Sequence, residues 1–173
     1  EKPPIGAALY AREVPPHGGD TLFVNMYLAY ETLSDGMNAL LSGLNGVHIS
    51  ADPNSYSSIY KGMHEKQDEP GSAAHPLVVT HPHTGRKALY ANGYTKHFEN
   101  MTVEESRPIL DYLAKHAARP EFNCRFHWTP GTLVMWDNRV TMHYAIEDDF
   151  NAETGNGYRR VMHRATFAGE RPH

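Results

Sequence analysis

Cysteine is all but missing from these 173 residues: Cys124 stands alone, so no intrachain disulfide can form. Disulfides mark oxidising compartments, and a chain without a pair of cysteines is expected in the reducing cytoplasm. Long apolar runs are missing too. No stretch of about 18 apolar residues occurs, so no helical membrane span is expected. Basic character is low, with Lys+Arg 16 against Asp+Glu 20 and a formal charge of -4. No basic run stands out, so no nucleic-acid partner is expected. Neither a phosphate-binding loop nor a dinucleotide fingerprint is present, and no Ser-His-Asp order suggests a nucleophilic hydrolase. No internal repeat is found. The chain opens Glu-Lys-Pro-Pro without Met and is read as the visible part of a longer protein.

Histidine, by contrast, is plentiful: there are 12, beside 10 tyrosines. Histidine titrates near neutrality and is the commonest metal ligand. The length suits one domain. A strand is expected over 5–11 and another over 21–25, with Pro15, Pro16, Gly18 and Gly19 turning between them and bringing the two close in space. Residues 27–41 read as helix from the recurrence of Tyr30, Leu33, Met37, Leu40 and Leu41. Ser34 can cap a second helical piece, and Gly43 or Gly46 stops it. Positions 47–50 fit strand or loop. The polar, serine-rich stretch 51–74 reads as a surface excursion or lid. An apolar strand over 75–80, a turn at 81–86 and a return strand over 88–91 make a hairpin. A helix begins near Met101 with Thr102 as cap and Glu105 three residues on, and ends at Pro120. Over 122–128, Phe122, Cys124, Phe126 and Trp128 alternate with Asn123, Arg125 and His127, which places Cys124 in the core. Strands are expected at 132–136 and 158–167. The pattern is mainly β with flanking helices, best met by an antiparallel sandwich or barrel.

Three clusters could carry chemistry. The apolar strand ending at Trp136 runs into Asp137, Asn138 and Arg139, and His143 follows at the rim. An imidazole there suits ferrous iron or zinc, while Asp137 and Asn138 tie the turn through side-chain to backbone hydrogen bonds. The alternative is that all are turn residues. Next, strand alternation sets Arg160, Met162 and Arg164 on one face, with Arg159, Val161 and His163 on the other. Two guanidinium forks on one face can hold carboxylates or a sulfonate, or else make surface salt bridges. Third, the Thr21 hydroxyl after Gly18-Gly19-Asp20 could donate to a ligand carboxylate. His81 and His83 have a metal-like spacing, but Thr84-Gly85-Arg86 makes them look like an exposed hairpin turn. His127 and His163 suit structural or supporting positions.

Pro15-Pro16-His17-Gly18-Gly19-Asp20-Thr21-Leu22, His75-Pro76-Leu77-Val78-Val79-Thr80-His81-Pro82 with Thr84-Gly85-Arg86, Trp136-Asp137-Asn138-Arg139 with His143-Tyr144-Ala145, and Arg159-Arg160-Val161-Met162-His163-Arg164-Ala165-Thr166 occur in this order over nearly the whole chain. Together they resemble the taurine dioxygenase family, which includes 2,4-dichlorophenoxyacetate dioxygenase and alkylsulfatases. The resemblance implies a double-stranded β-helix (jelly roll), incomplete at the N-terminus, with 1–173 forming the C-terminal two-thirds of one dioxygenase domain. It implies Fe(II) and 2-oxoglutarate as cofactors, with His143 as the distal iron ligand. Arg160 and Thr21 would hold the C5 carboxylate of 2-oxoglutarate, and Arg164 would lie near the cofactor and the substrate's anionic group. The implied reaction hydroxylates a small anionic organic substrate such as taurine, an alkylsulfonate or a sulfate ester, consuming dioxygen and releasing succinate and CO2. A homo-oligomer is expected. The polar stretch 147–157 is longer than in taurine dioxygenase itself, so the substrate need not be shared.

The chain departs from the family in one respect: no His-x-Asp occurs anywhere in it. The family's His-x-Asp pair lies just before the counterpart of Glu1, so a longer protein is expected to supply it. Two rival readings stay open. One is a metal-free or truncated member acting as a non-catalytic binding protein. The other is a cupin-like metal enzyme that does not use 2-oxoglutarate.

Overall fold

A computed structural model describes residues 2–50, 71–146, 148, 150–151, 156–169 and 171–172. The expected lid at 51–74 therefore falls largely outside the described residues. Its last part is corrected: Ser72, Ala73 and Ala74 belong to a strand, held by pairing with Ile49, His48 and Val47.

Two three-stranded antiparallel sheets frame the site. In the first, β1 (Gly6–Glu13) lies between β13 (Val161–Thr166) and β9 (Leu133–Asp137). In the second, β2 (Thr21–Asn25) lies between β10 (Thr141–Ala145) and β8 (Asn123–Phe126). The strands β1 and β2, joined by a turn, belong to different sheets. The Pro15–Pro16 and Gly18–Gly19 turn carries the chain from one sheet to the other rather than closing a hairpin. Gly18 and Gly19 both have positive φ, at 71° and 68°, and a Cβ on Gly18 would overlap the backbone of Asp148. Only glycine fits there without strain.

The remaining elements build the packed side. Helix α1 (Met26–Glu31) starts where the Asn25 side chain accepts hydrogen bonds from Tyr27 N and Leu28 N. The single helix expected over 27–41 is broken at Thr32–Ser34, and Ser34 caps α2 (Asp35–Leu41) as the sequence suggested. A third three-stranded sheet sets β3 (Asn45–Ile49) between β4 (Ser72–Pro76) and β7 (Thr95–Phe98). The strand expected over 75–80 is two: β4 pairs with β3, and β5 (Val78–Thr80) pairs with β6 (Lys87–Leu89). Leu77 marks the switch, fully buried and bonded to Leu44 O, just after Pro76, which has no N–H to give a ladder. Helix α3 (Val103–Ala117) opens with the expected capping box of Thr102 and Glu105. The 147–157 stretch contains a two-residue ribbon, β11 (Phe150–Asn151) with β12 (Asn156–Gly157), while 147, 149 and 152–155 lie outside the described residues.

One face of the second sheet supplies Val24 and Met142 to a core that includes Met26, Ala29, Leu41, Leu77, Leu89, Phe98, Leu113 and Phe122. Burying a side chain such as Phe98 contributes about 1.5–3 kcal/mol. The other face looks toward the first sheet. Among the described residues no helix is long and apolar enough to cross a membrane.

Candidate active site

The registers fix which side chains share the space between the sheets. On the second sheet, His143 lies opposite Phe23, and Phe23 lies opposite Cys124; Thr21 is flanked by Ala145 and Phe126. On the first sheet, Trp136 lies opposite Ala7, while Leu9 pairs with Val134 on one side and Arg164 on the other. Alternation puts Trp136 and Arg164 on one face. That face meets the second sheet, because the Trp136 ring lies 4.8 Å from His143 and 5.4 Å from Phe23. Thr21, His143 and Arg164 therefore converge, although they come from three strands.

His143 is exposed, with Phe23 and Trp136 beside its ring. Desolvation by these surroundings comes first in lowering its pKa, and the Arg164 guanidinium adds to it. Both effects favour the neutral imidazole, which is the form that binds a metal. Thr21 is buried, and its Oγ1 accepts a hydrogen bond from Trp128 Nε1 at 3.0 Å. A hydroxyl that accepts from an indole still has its own proton to donate. Arg160 precedes β13 and runs alongside Gly19, so that a Cβ on Gly19 would touch its Cδ. Its Nε is buried with no hydrogen-bond partner among the described residues. A buried donor left without an acceptor is costly, and a guanidinium in that state points to an anionic ligand.

The floor beneath Thr21 is polar. Asp20 accepts from Arg125 Nε at 2.6 Å and from His127 Nδ1 at 2.8 Å. Asp148 accepts from Arg125 Nη2 and from Gly19 N. Burial alone would raise the Asp20 pKa, but the hydrogen bonds from Arg125 and His127 together outweigh it and hold the carboxyl below its usual value. His127 thus fills the supporting position its alternation suggested. Arg159, on the far face, bonds Glu13.

Some expectations are corrected. Cys124 is exposed rather than core, because its strand edges the second sheet and its face is the one toward the site. Phe122 does not share that face; it sits in a short 3-10 turn and joins the main core. His81 is no exposed turn residue: it is only 7% accessible, and its Nε2 donates to Asp137 Oδ2 at 3.1 Å. Nothing local in the sequence marks that contact, whose partners are 56 residues apart. No local motif marks Phe23 as a wall beside Trp136, though the alternation in Thr-Leu-Phe-Val-Asn puts it on the side of Thr21. Asp137 does tie the turn, its Oδ1 accepting from Arg139 N, whereas Asn138 Nδ2 reaches outside it and donates to Pro4 O.

Known proteins resemble this chain in sequence and fold. The family described as "Taurine catabolism dioxygenase TauD, TfdA family" matches residues 1–166. A 2,4-dichlorophenoxyacetate dioxygenase from Burkholderia sp. (strain RASC) is 36% identical over 94% of this chain and 53% of its own length. A taurine dioxygenase structure from Burkholderia xenovorans superposes with a TM-score of 0.83 at 37% identity, over 99% of this chain and 54% of that one. The structure of AAD-2 with Mn(II) and N-oxalylglycine gives 0.82 at 35% identity, over 99% of this chain and 66% of that one. The chain spans 38–56% of the length of the curated relatives it matches. The fold is accordingly the jelly roll of these dioxygenases, and with the match running through β1, the β9–β10 crossing and β13, the chain belongs to the taurine catabolism dioxygenase TauD, TfdA family.

Proposed function

We propose that this chain is part of an Fe(II)- and 2-oxoglutarate-dependent dioxygenase that hydroxylates a small anionic organic substrate. The carrying observation is the buried, unpartnered Arg160 Nε beside the Gly19 turn. A cofactor carboxylate supplies the acceptor that this donor lacks, and the free proton of the Thr21 hydroxyl gives a second hydrogen bond to the same group. In this reading Arg160 and Thr21 anchor the distal carboxylate of 2-oxoglutarate, and Arg164 faces the cofactor and the substrate's anionic group. His143 presents a neutral imidazole as one iron ligand. No group of three or more His, Cys, Asp or Glu side chains placed to hold a metal ion occurs among the described residues, and in this reading the other ligands lie outside them. The donor type suits ferrous iron held by histidines and one carboxylate. Bound iron would supply the activation of dioxygen, coupled to conversion of 2-oxoglutarate into succinate and CO2. The chain's own part is to orient the cofactor, with Phe23 and Trp136 screening the space beside His143 from water.

The test uses the protein as its gene encodes it, with Fe(II), ascorbate and 2-oxoglutarate, against taurine, other alkylsulfonates, alkyl sulfate esters and aryloxy acids. Succinate release that rises with one of these substrates, matches product formed and stops on iron chelation is expected. Tight 2-oxoglutarate binding with no turnover of any substrate would replace this reading with that of a non-catalytic binding protein. Product formation without 2-oxoglutarate would replace it with a metal enzyme of another class.

A further inference from the structure

We propose that His81 is a positioning residue for His143, acting through Asp137; the inference rests on the reading of His143 as a metal ligand. The crossing from β9 to β10 is the reason such a residue is needed. The two strands lie in different sheets and share no ladder, β9 pairing with β1 and β10 with β2. The ladder with β2 fixes the register of His143, and the contacts of the crossing add to it by setting the direction in which β10 enters that ladder.

Asp137 is the hub of those contacts. Its Oδ1 accepts from Arg139 N and Nε, and its Oδ2 accepts from Arg139 Nη2 at 2.6 Å and from His81 Nε2 at 3.1 Å. The Arg139 bonds are internal to the crossing. The His81 bond alone of these four reaches outside it. Next to Asp137, Trp136 Nε1 donates to Asn138 Oδ1, which fixes the indole that packs against His143. A shift of Asp137 would therefore move both the strand that carries His143 and the ring beside it.

His81 is a firm anchor. Its ring is buried, and its own backbone is closed into the β5–β6 hairpin by His81 N to Arg86 O and Gly85 N to His81 O. Thr84 N donates to His81 Nδ1, which leaves the proton of a neutral ring on Nε2, facing Asp137. The hairpin is in turn bound to α1: Tyr27 Oη and Thr84 Oγ1 share a hydrogen bond, Arg86 lies over the Tyr27 ring, and Arg86 pairs with Glu31. Burial alone would raise the Asp137 pKa, but the hydrogen bonds from Arg139 and then His81 outweigh it, so the carboxylate stays charged to receive them. His81 thus passes the rigidity of the packed side to the crossing. Groups that orient a metal's ligands typically change affinity by about 10–100-fold when removed.

The test measures Co(II) binding and its visible spectrum in the protein as its gene encodes it, together with the melting temperature of the metal-free form. His81→Ala is expected to weaken Co(II) about tenfold and to alter the spectrum. His81→Gln, whose amide can donate from nearly the place of Nε2, is expected to recover affinity to within about threefold. Asp137→Asn should behave like His81→Ala, and the Gln and Asn pair decides the matter if the Ala variant does not fold. Equal affinity and spectrum in folded His81→Ala, with binding lost in His143→Ala, would overturn the positioning role and leave the site reading standing. Equal loss in the Ala and Gln variants would also overturn it, as a purely structural effect. Unchanged Co(II) binding in His143→Ala would sink the site reading itself, and this inference with it.

Discussion

The two sides of the molecule are built by different forces. The core side, around α1, α3 and β5 to β7, holds thirteen clustered buried hydrophobic residues, from Val24 to Phe122. The site side holds β9, β10 and β13, and not one residue of those three strands is buried. The first side is fixed by exclusion of water; the second by ladder hydrogen bonds and a few polar links such as Asp20 with Arg125 and Asp137 with His81. Stability should therefore be lost mainly by mutation on the core side, and ligand binding mainly by mutation on the site side.

Phe98→Ala is the strongest test of that division. The ring is fully buried, and its removal should cost about 3–5 kcal/mol. Urea unfolding should show the loss, while 2-oxoglutarate affinity of the folded variant stays within about twofold. A larger change in affinity would mean that the two sides are not separable. Arg160→Ala is the mirror image. Loss of charge-assisted hydrogen bonds worth about 1.5–3 kcal/mol should raise the 2-oxoglutarate dissociation constant by about 10–100-fold. Its melting temperature should hold or rise, since the buried Nε has no acceptor among the described residues. Arg160→Lys should not rescue binding, because a single ammonium cannot reproduce the fork.

The same division explains what could be read from the sequence. The capping box at Thr102 and the Ser34 cap were legible because their partners lie three residues away. The candidate site residues Thr21, His143 and Arg164 are legible as types at strand positions, but their convergence depends on which strands join which sheet. That is a long-range matter, which the short turn between β1 and β2 does not settle. Alternation correctly put Cys124 and Phe126 on one face of β8, yet could not tell that this face looks into the site rather than into the core. Strand β7, Thr-Lys-His-Phe, was missed because it is short and its two buried residues, Thr95 and Phe98, are three apart rather than two. His81 was misplaced because its meaning lies wholly in Asp137, on a distant strand.

A smaller effect is expected from Asp20, which lies on the site side yet is itself buried. Its folded-state pKa is depressed, so its contribution is present above the unfolded value and is lost as pH falls through the folded one. The wild-type melting temperature should fall steeply below about pH 4, and Asp20→Asn should flatten that fall. At neutral pH the substitution should cost about 1–2 kcal/mol, below the usual worth of two charge-assisted bonds. The reduction reflects the exposure of the partner side chains, 53% for Arg125 and 64% for His127, which lets solvent screen the pairs. A pH profile of Asp20→Asn identical to wild type would show that the Asp20 links do not hold the floor of the site.

The smallest effect tests the core side at its edge. Thr102 Oγ1 accepts from Glu105 N at 3.2 Å, and Glu105 Oε2 accepts from Thr102 N at 2.8 Å. The backbone bond and then the hydroxyl bond from Thr102 hold the Glu105 carboxyl below its usual pKa. Thr102→Ala breaks the box and should cost about 1 kcal/mol. The next residues show why the loss stops there. Ser106, fully buried, donates to Thr102 O and accepts from Phe98 N, and both bonds survive when the Thr102 side chain is removed, since the first uses only the Thr102 backbone and the second does not involve Thr102. The first turn of α3 thus stays fastened to β7, and Phe98 stays in the core. The urea midpoint should move slightly with no change in Co(II) or 2-oxoglutarate binding. A loss of several kcal/mol would mean that the Thr102 cap, rather than the Ser106 bridge, holds α3 to the sheet, and that the core side is less redundant than its burial implies.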